Sequence, residues 1–178
     1  MKLLSCAFLL ISLQSRAQLL ELVSGKIIFE SAAELESIEA TSTKPKGLVD
    51  LSKKNFAFSV DISTFDGFNS ALQKEHFNEN YLESNIFPTA SFSGKLIDPV
   101  DLNKTKQTIR AKGKFTVHGI SKERIINVDL KKTATGFEIS SNFNVLLSDH
   151  GISIPRIVYQ KIAENISVTI TGKLNTKQ

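Results

Sequence analysis

The feature that most constrains this chain is an apolar period of two, repeated over most of its length. Phe56, Phe58, Val60 and Ile62 point one way and Asn55, Ser59 and Asp61 the other. Ile109, Ala111, Gly113, Phe115 and Val117 alternate with Arg110, Lys112, Lys114, Thr116 and His118. Phe137, Ile139, Ser141, Phe143, Val145 and Leu147 form a third apolar face, and Ile162, Ile166, Val168 and Ile170 a fourth. Shorter stretches repeat it: Ile27 with Phe29, Ala90 with Phe92 and Leu96, and Ile126 with Val128 and Leu130. Only an extended strand places every second side chain on one side, so these are strands that bury a single face.

Turn residues separate the strands at Lys44-Pro45-Lys46-Gly47, Ile97-Asp98-Pro99, His118-Gly119, Ala134-Thr135-Gly136 and Asp149-His150-Gly151. Short turns join antiparallel neighbours, and there are too few helical patterns to supply parallel crossovers. About eight such strands make a sandwich or a closed up-and-down barrel. Closure removes exposed edges, and an eight-stranded barrel can hold one small ligand inside. The expected class is all-β, an antiparallel barrel.

One segment breaks the pattern. After Gly67, the residues Phe68, Ala71, Leu72, Glu75 and His76 follow helical spacing, which predicts a short helical excursion near residues 69–82. Pro88 ends it and starts the next strand. An excursion of this length covers a barrel mouth or packs on its wall. His76 is expected to anchor it, Asn78, Asn80 and Asn85 to satisfy its turns, and Phe77, Tyr81 and Phe87 to dock it.

The N-terminus reads as a targeting segment. Lys2, the apolar run Leu3 to Leu13, and Ser15-Arg16-Ala17 together resemble a signal peptide over residues 1–17, cleaved after Ala17. The run is too short to span a membrane, and no later stretch is long enough to do so. A lipoprotein reading of Leu4-Ser5-Cys6 fails because the apolar region follows the cysteine instead of preceding it. Residues 18–178 then form one domain with neither disulfides nor thiol chemistry, since Cys6 is the only cysteine. Removing Lys2 and Arg16 from the 22 basic residues leaves 20 against 18 acidic ones, a formal charge of +2 rather than +4. So balanced a chain gives little ground for nucleic-acid binding.

The order of several short motifs resembles a known family. His76-Phe77, Tyr81-Leu82-Glu83-Ser84, Phe87-Pro88 and Ala90-Ser91-Phe92 look like the aromatic and proline signature of the YceI-like domain. Val117-His118-Gly119-Ile120-Ser121-Lys122 is similar to that family's strand-ending turn, and Leu147 to Pro155 to its late segment, with His150 where tyrosine is common. The resemblance implies an elongated, lipocalin-like barrel exported to the bacterial periplasm or beyond, some of whose members bind a polyisoprenoid chain in the apolar interior. The chain departs from the longer members over Gly25 to Ala40, where it looks like a shorter branch.

Catalytic options are few. His118 beside Ser121 lacks a nucleophile elbow, and a histidine at a strand end is expected to be a solvated turn residue. Glu75-His76 and Asp149-His150 would make a metal site only if two distant loops met. The chain is therefore read as non-enzymatic, with no metal and no cofactor. The expected function is to sequester or carry a long apolar molecule, a polyisoprenoid or another lipid, in the periplasm or outside the cell. Its ligand-facing residues would be Phe56, Phe58, Val60, Phe92, Phe115, Val117, Phe137 and Phe143, with His76, Phe77, Tyr81 and Phe87 at the mouth. The alternative is a filled barrel that works through its surface, for example the outward row Arg110, Lys112 and Lys114. A homodimer is compatible with either.

Overall fold

A computed structural model describes residues 19–177. The expected signal peptide over residues 1–17 and its cleavage after Ala17 fall outside the described residues. The strands are β1 (Leu19–Ala32), β2 (Ser37–Ser42), β3 (Lys46–Asp50), β4 (Asn55–Asp61), β5 (Thr89–Leu96), β6 (Lys106–Val117), β7 (Ile120–Lys132), β8 (Gly136–Leu146) and β9 (Asn165–Thr176). Helix α1 (Ala71–His76) lies between β4 and β5 and runs on as a wider π-helical turn, Phe77–Tyr81, so the excursion is helical where its spacing predicts.

Every pairing between strands is antiparallel, and β9 returns to β1 to close the sheet. Nine segments fill eight positions because β2 and β3 lie in succession along the same edge of β1. Residues Ser37–Ser42 pair with Ile27–Ala32, and Val49 with Leu20. The break between them falls at Thr43-Lys44-Pro45, where proline cannot donate to a ladder. The result is the closed eight-stranded barrel that alternation and edge protection call for.

β1 is longer than its pattern suggests. Its register against β9 shifts between Leu22 and Ser24, a bulge at Val23, which is 56% exposed. One extra residue reverses the alternation, so Leu20 and Leu22 face inward before it while Ile27 and Phe29 face inward after it. A strict period-two search therefore finds only the second half. Within Gly25 to Ala40, the second half of β1 is paired on both sides, with β2 and with β9.

The two ends differ. The lower end has the short connections 51–54, 97–105 and 133–135. Here the core is tight, with Leu20, Phe56, Leu96, Ile109, Leu130, Phe137 and Leu174 all buried. The upper end carries residues 62–88 and 147–164, and its wall is split in two places. Above the β3–β4 ladder the excursion fills the split, bridging β2 through the reciprocal backbone bonds of Thr41 and Asp66 at 2.7 and 2.9 Å. Between β7 and β8 the ladder stops at Asp129 and Ser140, leaving residues 120–128 and 141–146 unpaired with each other.

Candidate functional site

The inward side chains enclose an apolar tube of two chambers. The lower has about 140 Å³ and is lined by Leu20, Val49, Phe56, Phe58, Ile109 and Phe137 among others. The upper has about 440 Å³, within the ~300–1,000 Å³ usual for small-molecule sites. Val60, Ala90, Phe115 and Phe143 line both and form a waist. All eight interior candidates border the tube: Phe56, Phe58, Phe92 and Phe137 below, Val117 above, and Val60, Phe115 and Phe143 at the waist. Strands of twelve residues rise about 40 Å along their length. At a barrel tilt near 40° the wall is about 30 Å tall.

Aromatic packing narrows the lower half. Phe56 and Phe92 stand 4.8 Å apart between centroids, Phe92 and Phe115 6.4 Å, and Phe115 and Phe143 5.7 Å. These rings touch as a chain from the floor to the waist. The upper chamber stays wider because its wall is made partly by the excursion.

That excursion docks through Phe77, which stacks on Phe29 at 5.1 Å and 16° and meets Phe68 at 5.0 Å and Phe65 at 6.0 Å. Tyr81 also faces the chamber, and burial raises its phenol above the ordinary value. Two mouth residues differ from expectation. His76 is exposed at the chamber rim, where solvent rather than the wall satisfies its ring, so it does not anchor the excursion. Phe87 lies outside the chamber, edge-on to the His118 ring at 4.7 Å. Polar support comes instead from Asn78, which donates to the Lys74 carbonyl at 2.8 Å and accepts from Ser84 at 2.9 Å.

The histidines serve as fasteners. His118 sits with φ of 50°, a conformation few non-glycine residues adopt, and its side chain is only 14% exposed. Its Nδ1 donates to the His150 carbonyl at 3.0 Å and its Nε2 pairs with Glu83 Oε2 at 2.6 Å. It is therefore not a solvated turn residue: the β6–β7 turn is overlaid by two distant segments. His150 is buried, with Nδ1 3.0 Å from the Ile120 carbonyl and its ring edge-on to Phe115 at 5.4 Å. Both ring nitrogens of His118 are occupied, which leaves none to activate Ser121; that serine bonds Thr116 instead, at 2.7 Å. Among the described residues no three or more metal-binding side chains gather, and His150 is turned into the core and not toward His76.

The basic row on β6 is largely neutralised. Arg110 grips Asp98 with two guanidinium bonds of 2.9 and 2.8 Å, which with the Arg110 backbone N–H hold the Asp98 carboxyl at about 2. Lys112 pairs with Glu123 at 3.4 Å.

One residue that alternation could have singled out is Arg124. It shares the parity of Ile126, Val128 and Leu130 on β7, so a cation occupies an inward position. Its guanidinium carbon lies 5.8 Å from the ring centroids of both Phe115 and Phe143, at the waist.

The model of the YceI-like domain family matches residues 21–174. Among solved structures, a polyisoprenoid binding domain from Saccharophagus degradans, described as implicated in plant cell wall breakdown, is similar with a TM-score of 0.75 at 9% identity, over 91% of this chain and 100% of that one. BcnA of Burkholderia cenocepacia is similar with a TM-score of 0.69 at 14% identity, over 85% of this chain and 96% of that one. The YCEI protein of Campylobacter jejuni follows with 0.56 at 16% identity, over 73% and 78%. No curated protein matches the sequence. At these identities the structural likeness establishes the fold alone.

Proposed function

We propose, for a chain that belongs to the YceI-like domain family, that the barrel is an exported carrier of a long apolar molecule of the polyisoprenoid or acyl-lipid type. The observation that carries this reading is the apolar interior itself, two chambers that share the lining residues of their waist, the upper one the larger. A polyisoprenoid binding domain with the same fold supports the ligand class. The targeting pattern of residues 1–17 supports export, to the periplasm or beyond. Among the described residues no helix is long and apolar enough to cross a membrane.

The energetics favour long ligands. Each buried methylene contributes about 0.8 kcal/mol, whereas association costs on the order of 4–15 kcal/mol. Several isoprene units must therefore enter before binding is useful, and the upper chamber of about 440 Å³ provides the larger share of the space.

The test is a titration of delipidated protein with a neutral fluorescent apolar probe, followed by competition with prenols of increasing length. Affinity should rise with chain length until the tube is full. Phe115→Trp, which enlarges a waist residue, should lose the longest ligands first. Protein that takes up neither probe nor prenol sinks the reading.

A further inference from the structure

The tube is lined almost wholly by carbon, yet a cation stands just behind its waist, against the Phe115 and Phe143 rings that line it. Arg124 lies mid-way along the stretch of β7 that does not pair with β8, so it stands beside the lateral split in the wall. The split is bounded below by the Asp129–Ser140 pair and the Ser141 hydroxyl on the Asn127 carbonyl at 2.7 Å, and above by His150 on the Ile120 carbonyl. Across the β6–β7 ladder Arg124 faces Gly113, which in turn faces Gly94, so no neighbouring side chain on that row reaches the guanidinium.

Its bonding is incomplete. Nη1 is buried and makes no hydrogen bond. None of the ion pairs among the described residues includes Arg124, and the adjacent Glu123 is taken by Lys112. The two phenylalanine rings stabilise the cation through their π faces, but a ring cannot replace an oxygen acceptor for a buried N–H. A donor left unsatisfied in this way costs free energy in the unliganded protein, and an arriving acceptor recovers it. A guanidinium fork pairs best with two oxygens held side by side, as in a carboxylate or a phosphate.

We propose that the barrel selects single-tailed amphiphiles, with an oxyanion head held by Arg124 in the β7–β8 split and the apolar tail running from the waist into the upper chamber. The upper chamber is the tail's side because the lower one is constricted by Phe56 and Phe92. This rests on the carrier reading and refines its ligand class from apolar to amphiphilic. Lys161, on the lining of the upper chamber, is the competing cation and serves as the control.

The experiment uses the delipidated chain and displacement of a neutral apolar probe by three ligands of equal tail: palmitate, hexadecyl phosphate and hexadecanol. The expected result is an oxyanion advantage over the alcohol of about tenfold or more, as for a charge-assisted hydrogen bond. Arg124→Met should abolish that advantage, read as the ratio of palmitate to hexadecanol affinity within the variant, and Arg124→Lys should keep part of it. Whichever of palmitate and hexadecyl phosphate binds tighter identifies the head group as a carboxylate or a phosphate. Equal binding of acid and alcohol by the wild-type chain overturns the proposal and leaves the carrier reading standing, with no variant needed. An advantage that survives Arg124→Met but disappears in Lys161→Met also overturns it, moving the head to the mouth. If none of the three displaces the probe, or the probe itself does not bind, the carrier reading falls too.

Discussion

Replacing Phe77 with alanine tests whether aromatic docking holds the excursion to the barrel. Phe77 contacts three other rings, at 5.1, 5.0 and 6.0 Å, and lies between the packed group of Ala40, Val60 and Phe65 and that of Ile62, Leu82 and Phe115. Truncating a core phenylalanine costs about 3–5 kcal/mol, and because Phe77 is only partly buried the lower value applies. With a urea slope of about 2 kcal/mol per M for a domain of this size, the midpoint should fall by about 1.5 M. Amide exchange should accelerate across residues 71–82, beginning with the Leu82 N–H that bonds the Phe77 carbonyl at 2.9 Å. Exchange in β6 and β9 should follow only the global loss. A midpoint shift below about 0.3 M with unchanged exchange would refute the reasoning. It would mean that the backbone bridge of Thr41 to Asp66 and the Glu83–His118 pair suffice to hold the segment.

Three further outcomes follow from particular contacts. His118→Ala and Glu83→Gln should each destabilise by about 1–3 kcal/mol, and the double variant should lose less than the sum, since both remove the same 2.6 Å contact; strictly additive denaturation midpoints would show the pair to be uncoupled. Gly94→Ala should destabilise by at least about 2 kcal/mol, because a methyl group there would stand 2.1 Å from the Lys112 carbonyl oxygen and 2.5 Å from Gly113 Cα, both backbone atoms; an unchanged melting temperature would contradict that close approach. Asp98 has a folded pKa of about 2 against 3.8 for the free side chain, the depressed case, so its stabilisation is complete above about pH 4 and is lost as pH falls toward 2. Asp98→Asn should flatten the acid limb of stability against pH in that window, and a carboxyl carbon titrating near 3.8 by NMR would dispose of the explanation.

Much of this protein was legible in local order. Period-two alternation on β4, β6 and β8 announces one-faced strands, because side-chain direction along a strand depends only on position parity. The helical spacing around Ala71 and Leu72 likewise places the excursion within two residues of its observed span, Ala71–Tyr81. The inward rings Phe56, Phe92, Phe115 and Phe143 follow from the same parity, and so does Arg124, which shares the parity of the tube-lining Ile126, Val128 and Leu130 on β7 and, unlike Lys122 and Lys132, is partly buried.

What parity cannot supply is anything that depends on two distant segments meeting. The bulge at Val23 hid half of β1, because one inserted residue inverts every later direction and only pairing with β9 reveals the insertion. His118 looks like an exposed turn residue until residues 83 and 150, distant in sequence, are folded over it. The departure of β7 from β8 beyond Asp129 depends on strands distant in sequence, and it leaves Arg124 beside the unpaired edges with a buried donor that makes no hydrogen bond. Sequence alone therefore determined that the chain makes one-faced strands enclosing an apolar space, since that depends on local geometry. The width of that space, the place where it splits and the group that stands in the split were decided by tertiary structure, since they arise from how eight strands and two long connections share one closed wall.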